Sequence, residues 1–336
     1  MVDDRVCFDV TPASLFHLLN ARHLIDHTCL KHKYVGVAAR QIWCDLHVDL
    51  LAEARADRES RDHRVVAGRV SVCIPFFNHD RYLAGLVAAF SSQRCAHFEV
   101  ILVNDGSSPE AARAFNVVAA ETHDRRFRFI TSENRGPGSA RNLAAPRATG
   151  GLLVFFDADN VPKSDTFIDT LVRALQTSGA DCVTCGYDVV PADTDVPIDT
   201  DLICTFRPIG PCLETGFVEN NLGDTTMIID RTVFDQIGGW SGTQAFTWED
   251  HAFLLNLCFR GFKLETVPDS LFYFRQGGRN QGGADLYLNY QTLFRQLQNA
   301  RPTDLARILS TVAGPMLLQR HPQLNSAIVS RELPDV

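Results

Sequence analysis

No run of eighteen apolar residues occurs anywhere in the 336-residue chain. Nothing in it is long and apolar enough to span a bilayer as a helix. The chain opens MVDD, with acids where an export signal needs Lys or Arg. Surplus positive charge is missing too: 32 Lys and Arg face 40 Asp and Glu, a net charge of -8. That balance gives no broad basic face for a phosphate backbone, and nucleic acid is not an expected partner. No glycine-rich loop matches G-x-G-x-x-G or the P-loop, and no internal repeat or low-complexity tract is present. Ten cysteines are present, but they lack the pairing of a secreted framework. Cys182 and Cys185 form one C-x-x-C inside DCVTCGY, an apolar, strand-like run with no second pair at zinc spacing. Structural thiols in a reducing, cytoplasmic setting are the expectation, and peripheral contact with the inner face of a membrane stays open.

What is there divides in three. Residues 1–66 read as a helical extension, with Thr11-Pro12 as a helix start followed by Leu15, Leu18, Leu19 and Leu24, and a second helical piece from about Val37 to Ala56. From about residue 67 to 280 short apolar runs alternate with helical periodicity, the pattern of an α/β sheet with crossover connections. Residues 281–336 read as a C-terminal helical segment. Both ends have the character of cut points, which suits one module of a longer chain. Residues 188–217 are rich in Asp, Pro, Thr and Gly and show no period, so they are expected to form a functional loop or to conceal an element.

Residues 152–163, LLVFFDADNVPK, form the focus of the chain. Five apolar residues bounded by Gly150-Gly151 and by acid predict a buried parallel strand ending at the sheet's carboxyl edge, where open α/β sheets bind ligands. Asp157 and Asp159 then make a hard-oxygen site suited to Mg²⁺ or Mn²⁺ when a phosphorylated ligand completes the shell. The competing structural reading has Asp157 closing a turn and Asp159 or Ser164 capping the next helix.

Three further constellations carry chemistry. Asp105, in VNDGSS after a predicted strand, can accept from a uracil or guanine N–H or from a ribose hydroxyl, or can be an Asp-Gly turn. Asn134 to Asn142, NRGPGSARN, gives glycines for close backbone approach, a helix start and Arg141 one turn in, able to fork onto phosphate or base. Thr247-Trp248-Glu249-Asp250 precedes an apolar helix face. It fits a capping box of Thr247 with Asp250, and equally a carboxylate facing a cleft as general base.

The order and spacing of VSVCIPFFNHDRYL, VILVNDGSS, ENRGPGSARN, LLVFFDADN, TTMIIDRTVFDQIGGW and WEDHAFLLNL resemble family 2 glycosyltransferases with the GT-A fold, over about residues 69–275. The resemblance implies a mixed, mostly parallel central sheet flanked by helices. It implies an inverting glycosyltransferase taking a nucleotide diphospho-sugar, a UDP-sugar first, with a glycan or lipid-linked acceptor and Mg²⁺ or Mn²⁺. Pro75, Phe77, Asn78, Asp105 and Arg141 would line the nucleotide pocket. Asp157, Ala158 and Asp159 match the D-x-D of ribose and metal-bound diphosphate. Asp250 matches the base, with Glu249, Trp248, Gly223 and Asp224 on the acceptor side. A non-catalytic sugar-nucleotide-binding module on the same fold is the alternative. The chain departs from the family at Asn160 and Ala252, where acids are frequent, and at Phe274-Arg275-Gln276-Gly277-Gly278, where Y-R-x-x-x-G-S is familiar. His251 and Arg279 are further candidates for the diphosphate, with solvent-facing roles as the expectation.

Overall fold

The computed structural model describes residues 68–216, 220–241 and 248–276, with Leu293, Gln296, Asn299, Ala300 and Asp304. The expected helical extension at 1–66, most of the C-terminal segment, Thr247 and Arg279 lie outside them. In the described part the strands are β1 Val70–Phe76, β2 Phe98–Asp105, β3 Phe127–Ser132, β4 Leu152–Phe155, β5 Val161–Pro162, β6 Cys182–Pro191, β7 Cys204–Phe206, β8 Met227–Asp230 and β9 Leu264–Gln276. The helices are α1 Asp80–Ser91, α2 Pro109–Glu121, α3 Pro137–Ala144, α4 Phe167–Ser178, α5 Arg231–Ile237 and α6 Glu249–Phe259, besides single turns.

One sheet runs β3-β2-β1-β4-β8-β6-β9-β5, with β7 on β6. β1, β2, β3 and β4 are parallel neighbours. β8 enters antiparallel between β4 and β6. The continuous apolar runs of β1, β2 and β4 follow from cover on both faces. Val72, Ile74, Val100, Leu102, Leu152 and Val154 point into one cluster, which α1, α2 and α4 close with Leu83, Phe90, Phe115, Phe167 and Leu171. Their alternates Cys73, Ile101, Val103, Leu153 and Phe155 point into a second, closed by Ala140, Phe234, Phe253, Leu254 and Leu257 of α3, α5 and α6. Each such side chain contributes about 1.5–3 kcal/mol of burial.

Several local features carry no simple mark in the sequence pattern. β1 continues through Pro75 to Phe76, because its partner across Pro75, Val103, belongs to a parallel strand with other donors available. KLETVP and LFYFR are one strand, β9, which crosses Pro268 by register shifts against Cys185, Gly186 and Tyr187. The aperiodic stretch after Asp188 conceals the end of β6 and all of β7. Cys182 and Cys185 are buried free thiols, in line with a structural role.

Candidate active site

β1, β2 and β4 end together, with Phe76 opposite Asn104 and Cys73 opposite Phe155. This carries Phe77, Asn78, Asp105, Asp157 and Asp159 to one edge, as expected; Pro75 lies one step back, buried inside β1. Asn78 takes a left-handed φ of 57°, uncommon outside glycine. Its backbone N–H donates to Ser107 Oγ at 3.1 Å, and its Oδ1 accepts the Ser108 N–H at 2.8 Å. The two loops that rise from β1 and β2 are thereby held to each other. Asp105 accepts N–H groups of Arg135 and Gly136 at 2.9 and 2.8 Å. Burial pushes its carboxyl up and those two donors draw it back. Asp105 thus fastens the glycine loop to the sheet edge.

That loop aims Arg141. Gly136 has φ 91°, and a Cβ on Gly138 would stand 2.6 Å from the Ser241 carbonyl, so neither position tolerates a side chain easily. α3 therefore packs close to Trp240, whose ring lies 4.8 Å beneath the Arg141 guanidinium. Arg141 is 2% exposed. Nη2 donates to Asp157 Oδ1 at 2.6 Å and Nη1 to Glu249 Oε1 at 3.0 Å. Burial opposes the charge, but the two carboxylates outweigh it and hold the guanidinium above its ordinary value. Acids from residues 157 and 249 meet on one cation.

Asp250 lies beside this pair, with Asn220 Nδ2 donating to its Oδ2 at 3.2 Å. Enclosure and the Glu249 carboxylate push it up to about 7, against smaller pulls from the His251 N–H and Arg141. The N-cap of α6 is Trp248, whose side chain makes no capping bond, and Thr247, the partner in the expected capping box with Asp250, lies outside the described residues. Asp224 is pushed well above its ordinary value by burial and then by Asp250 and Asp157. Its Oδ2 is enclosed, with no hydrogen-bond partner among the described residues. Gly223, at φ 140°, lies so close to Thr184 of β6 that a Cβ would fall 2.5 Å from it. His251 is buried, with Nε2 hydrogen-bonded to the Gly216 carbonyl, which corrects its expected solvent-facing role.

At the D-x-D the chain turns, the Asn160 N–H donating to the Asp157 carbonyl at 3.1 Å. Ala158 is buried. α4 begins only at Phe167, and its N-cap Thr166 makes no side-chain capping bond, so neither Asp159 nor Ser164 caps it. Asp159 Oδ2 lies 3.9 Å from His79 Nε2. Burial raises the Asp159 carboxyl, His79 draws it down and Asp157 raises it again. This carboxylate lacks the cation that Arg141 gives Asp157, and a divalent ion fits the deficit. Among the described residues no three His, Cys, Asp or Glu converge as a complete metal cage. A divalent ion held here would take its remaining ligands from a phosphorylated ligand and water, the usual division for Mg²⁺.

Residues 71–238 match the profile of glycosyl transferase family 2. The chain belongs to this family. EpsH of Bacillus subtilis, a protein named as a glycosyltransferase, is 30% identical over 143 residues, which are 41% of this chain and 39% of that one. An uncharacterized glycosyltransferase of Nostoc sp. is 25% identical over 221 residues, 63% of this chain and 66% of that one. The chain thus spans between about two fifths and just under two thirds of these relatives. Among solved structures, Staphylococcus aureus TarS 1–349 in complex with UDP-GlcNAc superposes with a TM-score of 0.57 at 17% identity, covering 79% of this chain and 76% of that one. The mannosyltransferase PcManGT of Pyrobaculum calidifontis in complex with GDP-Man and Mn²⁺ gives 0.55 at 18%, covering 88% of each. At these identities the likeness is one of fold, the GT-A fold. Within the family 2 site the spacing of motifs gave no sign of Asn220 beside Asp250, of His79 beside Asp159, or of Trp240 under Arg141. All three sit where distant segments fold over one another.

Proposed function

We propose that the protein is an inverting glycosyltransferase that moves a sugar from a nucleotide diphospho-sugar, a UDP-sugar, to a hydroxyl of a glycan or lipid-linked acceptor. The observation that carries this reading is Arg141, which joins Asp157 of the D-x-D turn to Glu249, the neighbour of Asp250. The D-x-D turn and the start of α6 are thereby tied to one buried cation. Proteins of this fold have been solved with UDP-GlcNAc and with GDP-Man and Mn²⁺, which supports a nucleotide diphospho-sugar at this edge.

Asp250 takes the proton of the acceptor hydroxyl. The oxygen attacks the anomeric carbon from the face opposite the diphosphate, the new glycosidic bond forms as the old bond to phosphate breaks, and the configuration inverts. A base pushed up to about 7 is matched to this task near neutral pH. Asn220 orients its carboxylate, and Arg141 bridges Asp157 and Glu249. Asp159 would hold the divalent ion, which on binding supplies Lewis-acid stabilisation of the departing diphosphate. Asp105, the loops at Asn78 and the glycine loop form the wall against which the nucleoside lies.

The test is Asp250→Asn. Loss of a general base should lower transfer by roughly 10²–10⁴-fold while nucleotide affinity by calorimetry is kept. Wild-type turnover in that variant would remove the assignment.

A further inference from the structure

His79 is the residue at the donor edge to which the reaction above gives no task. It sits immediately after the left-handed Asn78 and immediately before α1, whose Tyr82 N–H donates to the His79 carbonyl at 3.0 Å. Both backbone sides of the imidazole are therefore fixed. The ring is partly open, with 18% of the side chain exposed, against 21% for Asp159, and its Nε2 faces Asp159 Oδ2 at 3.9 Å. That separation is too long for a hydrogen bond. It is right for two atoms that share a third: donors on opposite sides of one cation, each bonded at about 2.1 Å, stand about 4.2 Å apart.

The surroundings hold both groups as a unit. The His79 ring lies 6.2 Å from that of Tyr82. The Arg275 guanidinium stacks on the other side of the chain of contacts, 4.2 Å from the Tyr82 ring. Arg275 is 3% exposed. From there it donates Nη1 to the Asp159 carbonyl at 2.5 Å, Nε to the Thr194 carbonyl at 2.8 Å and Nη2 to the Asp195 carbonyl at 2.8 Å. One buried arginine thus fixes the backbone of the acid and, through Tyr82, the setting of the imidazole. Outer-shell supports of this sort orient metal ligands elsewhere.

We propose that His79 is a second protein ligand, beside Asp159, for the divalent cation at the donor diphosphate, making a mixed nitrogen and oxygen site that favours Mn²⁺ or Co²⁺ over Mg²⁺. This rests on the donor reading given above. An all-oxygen site suits Mg²⁺, which takes carboxylate, phosphate and water; one imidazole shifts the preference toward first-row transition ions, in the order Mg²⁺ below Mn²⁺ below Co²⁺. Asp157, already bonded to Arg141, stays outside the first choice of ligands.

The experiment uses the full chain with UDP and each metal. Pulsed electron paramagnetic resonance of the Mn²⁺–UDP complex should show modulation from a directly bound imidazole nitrogen, lost in His79→Ala. Calorimetry should show Mn²⁺ and Co²⁺ binding weakened in that variant by at least the roughly 10–100-fold seen when a metal site loses an outer-shell partner, with Mg²⁺ binding changed far less. A wild-type Mn²⁺–UDP complex without nitrogen modulation overturns the proposal. So does a His79→Ala variant whose loss is equal for all three metals, or whose UDP binding weakens equally without metal, since His79 then meets phosphate instead. Failure of the wild type to bind UDP, GDP or dTDP with any metal overturns the donor reading itself, a different result from binding without nitrogen.

Discussion

Asp250 owes its usefulness to an unfavourable setting, and the same setting predicts how the protein responds to pH. Its carboxyl is pushed up to about 7 by enclosure first and by Glu249 second. The reacting form is the ionised one, so kcat/KM should climb with pH through about 7 and level off above it. Stability runs the other way. The folded state holds the Asp250 proton up to about 7 and the unfolded chain releases it near 3.8, so between those values folding binds a proton and stability falls as pH rises. Asp250→Asn should therefore raise the melting temperature at pH 8 and leave it nearly unchanged at pH 3.5, where both forms are neutral. Equal shifts at the two values would mean that the carboxylate is not held against its charge. Arg141 acts on the same quantity, because its guanidinium draws Asp250 down. Arg141→Met should move the midpoint of the pH–rate profile above 7. It should also cost on the order of 3–5 kcal/mol in chemical denaturation, since Asp157 and Glu249 lose their shared buried partner.

At the scale of elements, much of the site is a consequence of where strands stop. The D-x-D and the Asp105 turn were legible because each follows a run of apolar residues that both faces of the sheet require, and such runs end at the ligand-binding edge; the glycine loop was legible from its own glycines and helix start. What resisted reading has a common physical cause. Residues 192–203 show no period because the chain there is held by long-range bonds: Arg81 to Asp195 and to the Asp193 carbonyl, Arg275 to the carbonyls of Thr194 and Asp195, and Lys163 and Tyr273 to Asp199. Asn220 and Trp240 are equally silent in sequence, since their partners are far along the chain. Turns are the exception, because backbone conformation leaves a local mark. Gly106 has φ 64°, and a Cβ there would lie 2.4 Å from the Asn134 N. Gly106→Ala should cost about 1–2 kcal/mol for the left-handed backbone alone, with more from that contact. It should also weaken nucleotide binding, because the displaced loop carries the Arg135 and Gly136 N–H groups that Asp105 accepts. Denaturation and calorimetry on one variant check both parts.

Across the described residues, the edge where β4 ends, the segment before β8 and the start of α6 carry groups that folding leaves under-compensated. Among the described residues Asp159 lacks a firm cation, Asp224 Oδ2 is enclosed without a hydrogen-bond partner, and Asp250 is pushed up to about 7. These groups belong to the ends of β4 and α6 and to the segment before β8, so no single element can relieve them. A ligand that supplies positive charge at the D-x-D turn and hydrogen-bond partners at the β1 and β2 loops would stabilise several segments at once. The expected result is a linked thermal shift. UDP with Mn²⁺, each present at about a hundred times its dissociation constant, should add about 2.7 kcal/mol for a bound site, or roughly 5–10 °C in Tm for a domain of this size. UDP alone should give a smaller shift, and Mn²⁺ alone less again, because neither completes the other's shell. Asp250→Asn should keep the combined shift, as the base belongs to the acceptor side. Asp159→Asn should reduce it to that of UDP alone. A combined shift that survives Asp159→Asn would place the cation on other residues, and one that vanishes in Asp250→Asn would tie the base to donor binding instead of to the attacking hydroxyl.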